Sequence, residues 1–203
     1  MDLDDTIFET KSMDSKLFDP FFDHLINILK EEIDLKTIER ITHDLWQIPI
    51  DKVIDKYGLS IEKIHQSLCV LENLELKLEV KVYEDYPVLK SINLPMFLVT
   101  TGLKTLQQSK IASLGIENDF VEIVINDPIK DKRSKKDVFK DLAIRYDLKN
   151  EHIYIIGDNP DSEIKDGNNL GMVTIQIFRN GKIEFNQAQF AITSFDSLKT
   201  IIL

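Results

Sequence analysis

The sequence predicts an α/β fold: a doubly wound parallel sheet with helices on both faces and a helical insert near its start. Three observations predict it. From Tyr83 onward short apolar runs alternate with amphipathic helical patterns, and strand–helix–strand alternation packs as a parallel sheet covered on both faces. Residues 16 to about 82 carry helical periodicity instead, with no strong strand alternation until their end. Only 7 glycines and 6 prolines occur and no linker-like tract is visible, so each of these residues punctuates an element.

The elements follow in order. Phe18, Phe21, Phe22, Leu25, Ile26 and Leu29 recur at helical spacing with charges between them. Ile38, Ile41, Leu45 and Ile48 continue that periodicity until Pro49. Ile61, Ile64, Leu68 and Leu71 give a third helix, which Ser60 can cap after Gly58. The expected strands are Met96–Val99, Val121–Ile125, Ile153–Ile156 and Val173–Phe178. The intervening helices are Leu103–Leu114, stopped by Gly115, then Ser134–Tyr146, and a short one over Asp161–Leu170. Asn180-Gly181 is a two-residue hairpin signal joining Val173–Phe178 to Lys182–Phe185.

The chain has 203 residues and a formal net charge of -10. Its size suffices for a core without a structural metal or disulfide, and its acidity disfavours nucleic acid and anionic membranes as partners. One cysteine, Cys69, allows no internal disulfide framework and fits a reducing compartment. No apolar stretch approaches the ~20 residues needed to span a bilayer, and no secretory signal is visible, so a cytoplasmic location is expected. Oligomeric state is not legible.

Ligands of open α/β sheets bind beyond the carboxyl ends of the strands, so polar residues that follow an apolar run come first. Asp2-Leu3-Asp4-Asp5-Thr6 opens the chain, Thr100-Thr101-Gly102 follows Phe97–Val99, and Gly157-Asp158-Asn159-Pro160-Asp161-Ser162-Glu163 follows Ile153–Ile156. A basic run, Lys130 to Lys136, precedes the helix starting near Ser134. Singly, each has an ordinary explanation: a solvated cap, a turn, a charged face.

Together, in this order, they resemble the haloacid dehalogenase-like (HAD) superfamily, whose members are mostly Mg²⁺-dependent aspartate-based phosphatases with a Rossmann-like core. The resemblance covers the whole chain, with residues 14–82 as a helical cap inserted into a core of residues 1–13 and 83–203. It implies Asp2 as nucleophile, forming an aspartyl-phosphate, and Asp4 as the acid and base that serves the leaving oxygen and then the attacking water. It implies Mg²⁺ bound by the Asp2 and Asp158 carboxylates and the Asp4 backbone carbonyl, with Glu163 as the second acid of the last motif. Thr100, with Thr101 and Gly102 behind it, would hold phosphoryl oxygens. Lys135 would offset the charge of Asp2 and of a dianionic phosphate, with Lys132 and Lys136 as rivals. The substrate would be a small phosphorylated metabolite.

Three features depart from the family pattern. Glu163 stands where an Asp is usual, which suggests a water-mediated role that Asp161 could share. No Pro follows any of the candidate lysines. Only Met1 precedes Asp2, whereas about five apolar residues should lead into this motif; the expectation is a truncated first strand, with the natural product beginning upstream. Asp4 argues against a dehalogenase, since carbon–halogen displacement needs no acid for an alkoxide. A phosphomutase, or a catalytically impaired binding or regulatory relative, would carry the same motifs. His24, His43, His65 and His152 lack metal-ligand spacing, Trp46 and the cap phenylalanines read as core, and Cys69 as a buried small hydrophobe.

Overall fold

A computed structural model describes residues 1–46, 48, 50–72, 77–127, 130, 133–183 and 187–202. Four helices come after the first motif: α1 (Asp19–Leu29), α2 (Leu35–Asp44), α3 (Ile50–Tyr57) and α4 (Ile61–Glu72). Pro20 opens α1 where a missing N–H costs nothing. Asp34 caps α2 by accepting from the Thr37 amide at 3.0 Å. Their apolar faces meet in one buried cluster that includes Phe21, Leu25, Ile41, Ile64 and Leu68, as the helical spacing requires. The periodicity up to Ile48 predicts a helix running to Pro49, but α2 stops at Asp44, and a helix the pattern did not include, α3, begins at Ile50; Pro49 itself lies outside the described residues. Periodicity misses this break because Leu45, Ile48, Ile50 and Ile54 on its two sides all pack against the same cluster.

A short helix α5 (Pro87–Lys90) leads into the core, which alternates β1 (Phe97–Thr101), α6 (Lys104–Leu114), β2 (Glu122–Asn126), α7 (Lys135–Arg145), β3 (Tyr154–Gly157), α8 (Lys165–Asn169) and β4 (Val173–Ile177). Gly115 ends α6 at φ +66°, a left-handed conformation that suits a residue without Cβ. A further strand, β5 (Phe190–Ile192), and α9 (Leu198–Ile202) complete the fold. β5 also replaces the expected hairpin. Gly181 does turn the chain at φ +75°, but Lys182 and Ile183 form no strand, and residues 184 and 185 lie outside the described residues. One edge of β4 is taken by β3 and the other by β5, both parallel, which leaves no edge for a returning antiparallel strand.

β1 pairs with β2, and β3 with β4 and β5, as two parallel sheets. Met1 and Asp2 join them. The Met1 ammonium donates to Phe97 O at 2.9 Å, the Val99 amide to Met1 O at 2.9 Å, and the Asp2 amide to Ile156 O at 2.9 Å. The two bonds to β1 follow the parallel pattern and a single bond reaches β3, so Met1–Asp2 lies between the sheets in the order β2-β1-(Met1–Asp2)-β3-β4-β5. Beside Met1 lies a cavity of about 360 Å³, lined by apolar side chains that include Phe97, Val99, Phe139, Ala143, Ile155 and Ile156. The Met1 ammonium is buried against this apolar wall, and burial pulls its pKa down to about 6.

Arg179 ties the far end of β4 to the first motif. Its Nε and Nη2 donate to Thr6 O at 3.0 and 2.6 Å, and its Nη1 to Asp85 Oδ2 at 2.7 Å. The guanidinium lies over Tyr83 and Phe195, 4.0 and 4.3 Å from their ring centroids. Burial pushes the Asp85 carboxyl up, but Arg179 and the Phe195 amide outweigh it and hold the carboxyl below its usual 3.8.

These contacts carry two stability predictions. Placing four apolar β-forming residues in front of Met1 should fill the slot and continue the ladder. Burial worth about 2 kcal/mol corresponds to a melting temperature higher by roughly 4–8 °C in a chain of this size; an unchanged melting temperature would refute a strand-accepting slot. Arg179→Met should cost about 2–4 kcal/mol in urea unfolding, because it strands the Asp85 carboxylate. The Asp85 contribution is present at neutral pH and is lost as pH falls through its lowered folded value. The variant should therefore show a flatter stability–pH curve on the acid side than the parent; parallel curves would contradict this.

Candidate active site

The first motif is shaped by its apolar members. Leu3, Ile7 and Phe8 are fully buried, and the Ile7 amide closes a turn on Leu3 O at 2.9 Å. The acids between them are thereby turned toward the carboxyl end of the sheet. Asp5 takes φ +48°, which Asp tolerates better than most residues, and its Oδ1 accepts from the Thr10 amide at 2.9 Å.

Lys135 is the first residue of α7. Ser134 and Asp137 form a capping box that fixes this helix start. The Lys135 ammonium donates to Asp2 Oδ1 at 2.6 Å and to Glu163 Oε2 at 2.8 Å, and all three side chains are more than nine-tenths buried. Glu163 Oε1 accepts from the Asn159 amide at 2.8 Å. It reaches this position past Gly157, where a Cβ would lie 2.3 Å from Glu163 Oε1. The backbone before it is irregular, with Ser162 at φ −114°, ψ −108° inside a π-type turn. Asp161 is exposed and outside this group. Lys136 uses its amide on Asp166 Oδ2 at 2.9 Å, and Lys132 lies outside the described residues.

Carboxylate oxygens of Asp2, Asp158 and Glu163 all lie within 4.8 Å of one another. Burial, with the charge of Glu163 and Asp4 added and Lys135 opposing, raises Asp2 to about 7. Burial and the Asp2 and Glu163 charges raise Asp158 to about 8. Burial would raise Glu163 too, but Lys135 and the Asn159 amide hold it low. Lys135 stays charged, because its two carboxylates outweigh its own burial. Three hard oxygen donors therefore face one ammonium, an excess of buried negative charge that suits an added divalent cation such as Mg²⁺.

Thr100, the next-to-last residue of β1, is buried, with its Oγ1 2.5 Å from Gln107 Nε2. The same Nε2 donates to Asp4 Oδ2 at 2.8 Å, and Lys110 donates to Asp4 Oδ1 at 2.6 Å. Sequence reasoning missed Gln107 and Lys110. Their signal was two polar residues three apart on α6, placed to share one face, and both are buried.

All the candidate residues, Asp2, Asp4, Thr100, Thr101, Gly102, Lys135, Asp158 and Glu163, line one cavity of about 430 Å³. The cap closes it from above. Trp46 and the phenylalanines, expected as core only, line it as well: Phe18 and Phe21 are buried, while Trp46 is 43% exposed. The remaining expectations are modest. His24 contacts Ser67 Oγ at 3.1 Å. Cys69 is half-buried rather than buried, 3.7 Å from His65 Nδ1.

Comparison with known proteins gives a match to the Haloacid dehalogenase-like hydrolase family over residues 1–177. The chain is 25% identical over 220 residues to the glyceraldehyde 3-phosphate phosphatase of Methanocaldococcus jannaschii, covering 99% of this chain and 93% of that one. It is 34% identical over 96 residues to the protein of the same name from Methanopyrus kandleri, a match spanning 47% of this chain and 41% of the relative. Among solved structures, the magnesium-bound HAD hydrolase YfnB of Bacillus subtilis superposes with a TM-score of 0.62 at 18% identity, covering 99% and 96% of the two chains. No described helix is long and apolar enough to cross a membrane. The chain belongs to the haloacid dehalogenase-like hydrolase family.

Proposed function

We propose that this hydrolase is a Mg²⁺-dependent phosphatase that cleaves a small phosphorylated metabolite through an aspartyl-phosphate on Asp2, with residues 14–82 acting as the cap. The observation that carries the reading is the Lys135 ammonium between Asp2 and Glu163, with Asp158 alongside, at the carboxyl end of the central strand position. Asp2 and Asp158 lie close enough to share one ion, which supports an operative Asp2 over the impaired-relative reading.

Asp2, Asp158, Glu163 and the Asp4 carbonyl would hold the cation, which when bound offsets the charge of the phosphate. Lys135 supplies a fixed positive charge beside Asp2. Thr100 and the Thr101–Gly102 backbone bind phosphoryl oxygens. An Asp2 carboxylate oxygen attacks phosphorus, the ester P–O bond breaks, and protonated Asp4 gives its proton to the departing oxygen. Asp4 then takes a proton from the water that attacks the aspartyl-phosphate. Phosphate leaves and Asp2 is restored. Gln107 and Lys110 hold both Asp4 oxygens, so Asp4 must exchange one of these contacts for the leaving oxygen; they are positioning residues.

Phosphate release from an aryl phosphate, measured with and without Mg²⁺ and EDTA, tests this. Chelation should abolish turnover. Asp2→Asn should reduce kcat by roughly 10³-fold or more, and Asp158→Asn should mainly raise the Mg²⁺ concentration required. Chelator-resistant turnover overturns the reading. Lys110→Met should lower kcat about 10–100-fold with little change in KM, and should distort the pH–rate profile. An unchanged profile would show that Lys110 only supports the fold.

A further inference from the structure

The cavity over the acids has two unlike halves. Its floor, from the core, carries the carboxylates, Lys110 and Lys135. Its roof, from the cap, is apolar at every described lining residue: Phe18, Phe22, Leu45, Trp46, Ile48 and Leu68 are representative. The core continues this surface with Leu103 and Leu106. No described cap side chain on this cavity offers a hydrogen-bond donor or acceptor except the indole N–H of Trp46.

Trp46 is held as a wall. Its ring meets Phe18 edge-on at 5.1 Å and 87°, and Phe22 at 5.4 Å and 31°. Yet it remains 43% exposed beside a buried aromatic cluster. A fixed, partly exposed indole above a charged floor matches a molecule with a phosphate at one end and an apolar body at the other. A polyol or triose body packed against the cap would have to leave water for a surface that returns almost none of its hydrogen bonds, since the cavity's hydroxyl and amide groups, Thr10, Thr101, Asn159 and Ser162 among them, lie on the core side.

Building on the phosphatase reading above, we propose that the preferred substrate is a phosphomonoester of an apolar alcohol, aromatic or branched alkyl, whose body packs against Trp46 and Phe22, and that hydroxyl-rich sugar and triose phosphates are poor substrates.

The test compares 2-phenylethyl phosphate and 3-methylbutyl phosphate with glycerol 3-phosphate and glyceraldehyde 3-phosphate, in Mg²⁺ at one pH. All four release an alkoxide-type leaving oxygen, so leaving-group chemistry does not favour the apolar pair. kcat/KM should be roughly tenfold higher or more for the apolar esters, chiefly through KM. Trp46→Ala should shrink that ratio about fivefold or more, and Trp46→Phe should retain most of it. Trp46 is the only tryptophan in the chain, so its fluorescence reports binding without turnover. 2-Phenylethyl phosphate should shift it at concentrations where glycerol 3-phosphate does not. Equal or better turnover of the polyol esters, or a Trp46→Ala variant with an unchanged ratio, overturns the proposal. Failure of all four esters to turn over, combined with selective fluorescence shifts by the apolar pair, overturns the phosphatase reading while supporting the apolar pocket. Equal fluorescence shifts from both pairs overturn the pocket.

Discussion

The site rests on one buried ammonium. Lys135 touches Asp2 from the start of the chain and Glu163 from the loop after β3, while its own backbone begins α7. Three segments far apart in sequence are thus drawn to a point at the carboxyl end of the sheet. A buried ion pair of this kind is costly to desolvate and weak evidence for stability. Its value here is geometric: without the lysine, the three acids would repel one another in a setting that screens charge poorly.

The same point depends on a very short stretch of chain. Asp2 is aimed by the backbone bonds of two residues, Met1 to β1 and Asp2 to β3, which link the two sheets. Further support comes from beneath the motif and from its side. Leu3, Ile7 and Phe8 anchor the turn in the main core, and Arg179 holds Thr6 O against Asp85. The first motif is therefore fixed more by the buried residues Leu3 to Phe8 than by Met1. The adjoining apolar cavity marks where the sheet is thinnest. Voids of this kind forfeit contacts on their lining atoms and lower stability without disturbing groups already tied by hydrogen bonds and ion pairs.

Cap and core meet over the acids with opposite chemistry. The core supplies charge and hydrogen bonds, and the cap supplies aromatic and aliphatic surface. An apolar cap surface over such a floor lowers the dielectric around it, which strengthens the electrostatic contacts there. Gln107 and Lys110 on α6 lie at the same boundary, so the helix that packs near the cap also orients Asp4. Changes in cap position would thereby reach Asp4, the proposed acid–base residue, through α6.

The α/β alternation, the helical insert and the candidate acids, threonines and lysine on the cavity floor are legible in the sequence alone, whereas Thr10, Gln107, Lys110 and Asp127 on the same floor are not. The legible features rest on local patterns: short apolar runs, period-3.6 hydrophobicity, and acids or threonines placed directly after apolar runs. The early end of α2, the existence of α3 and the placement of β5 are not legible there, since each depends on which surface a segment packs against. Three decisions belong to the tertiary structure. It puts Lys135 on Asp2, where the run of lysines leaves rivals; it brings Gln107 and Lys110 to Asp4; and it turns Trp46 and Phe22 from core candidates into a cavity wall. Each depends on side chains from separate elements meeting at one place, and apolar spacing records that a residue is covered without recording what covers it.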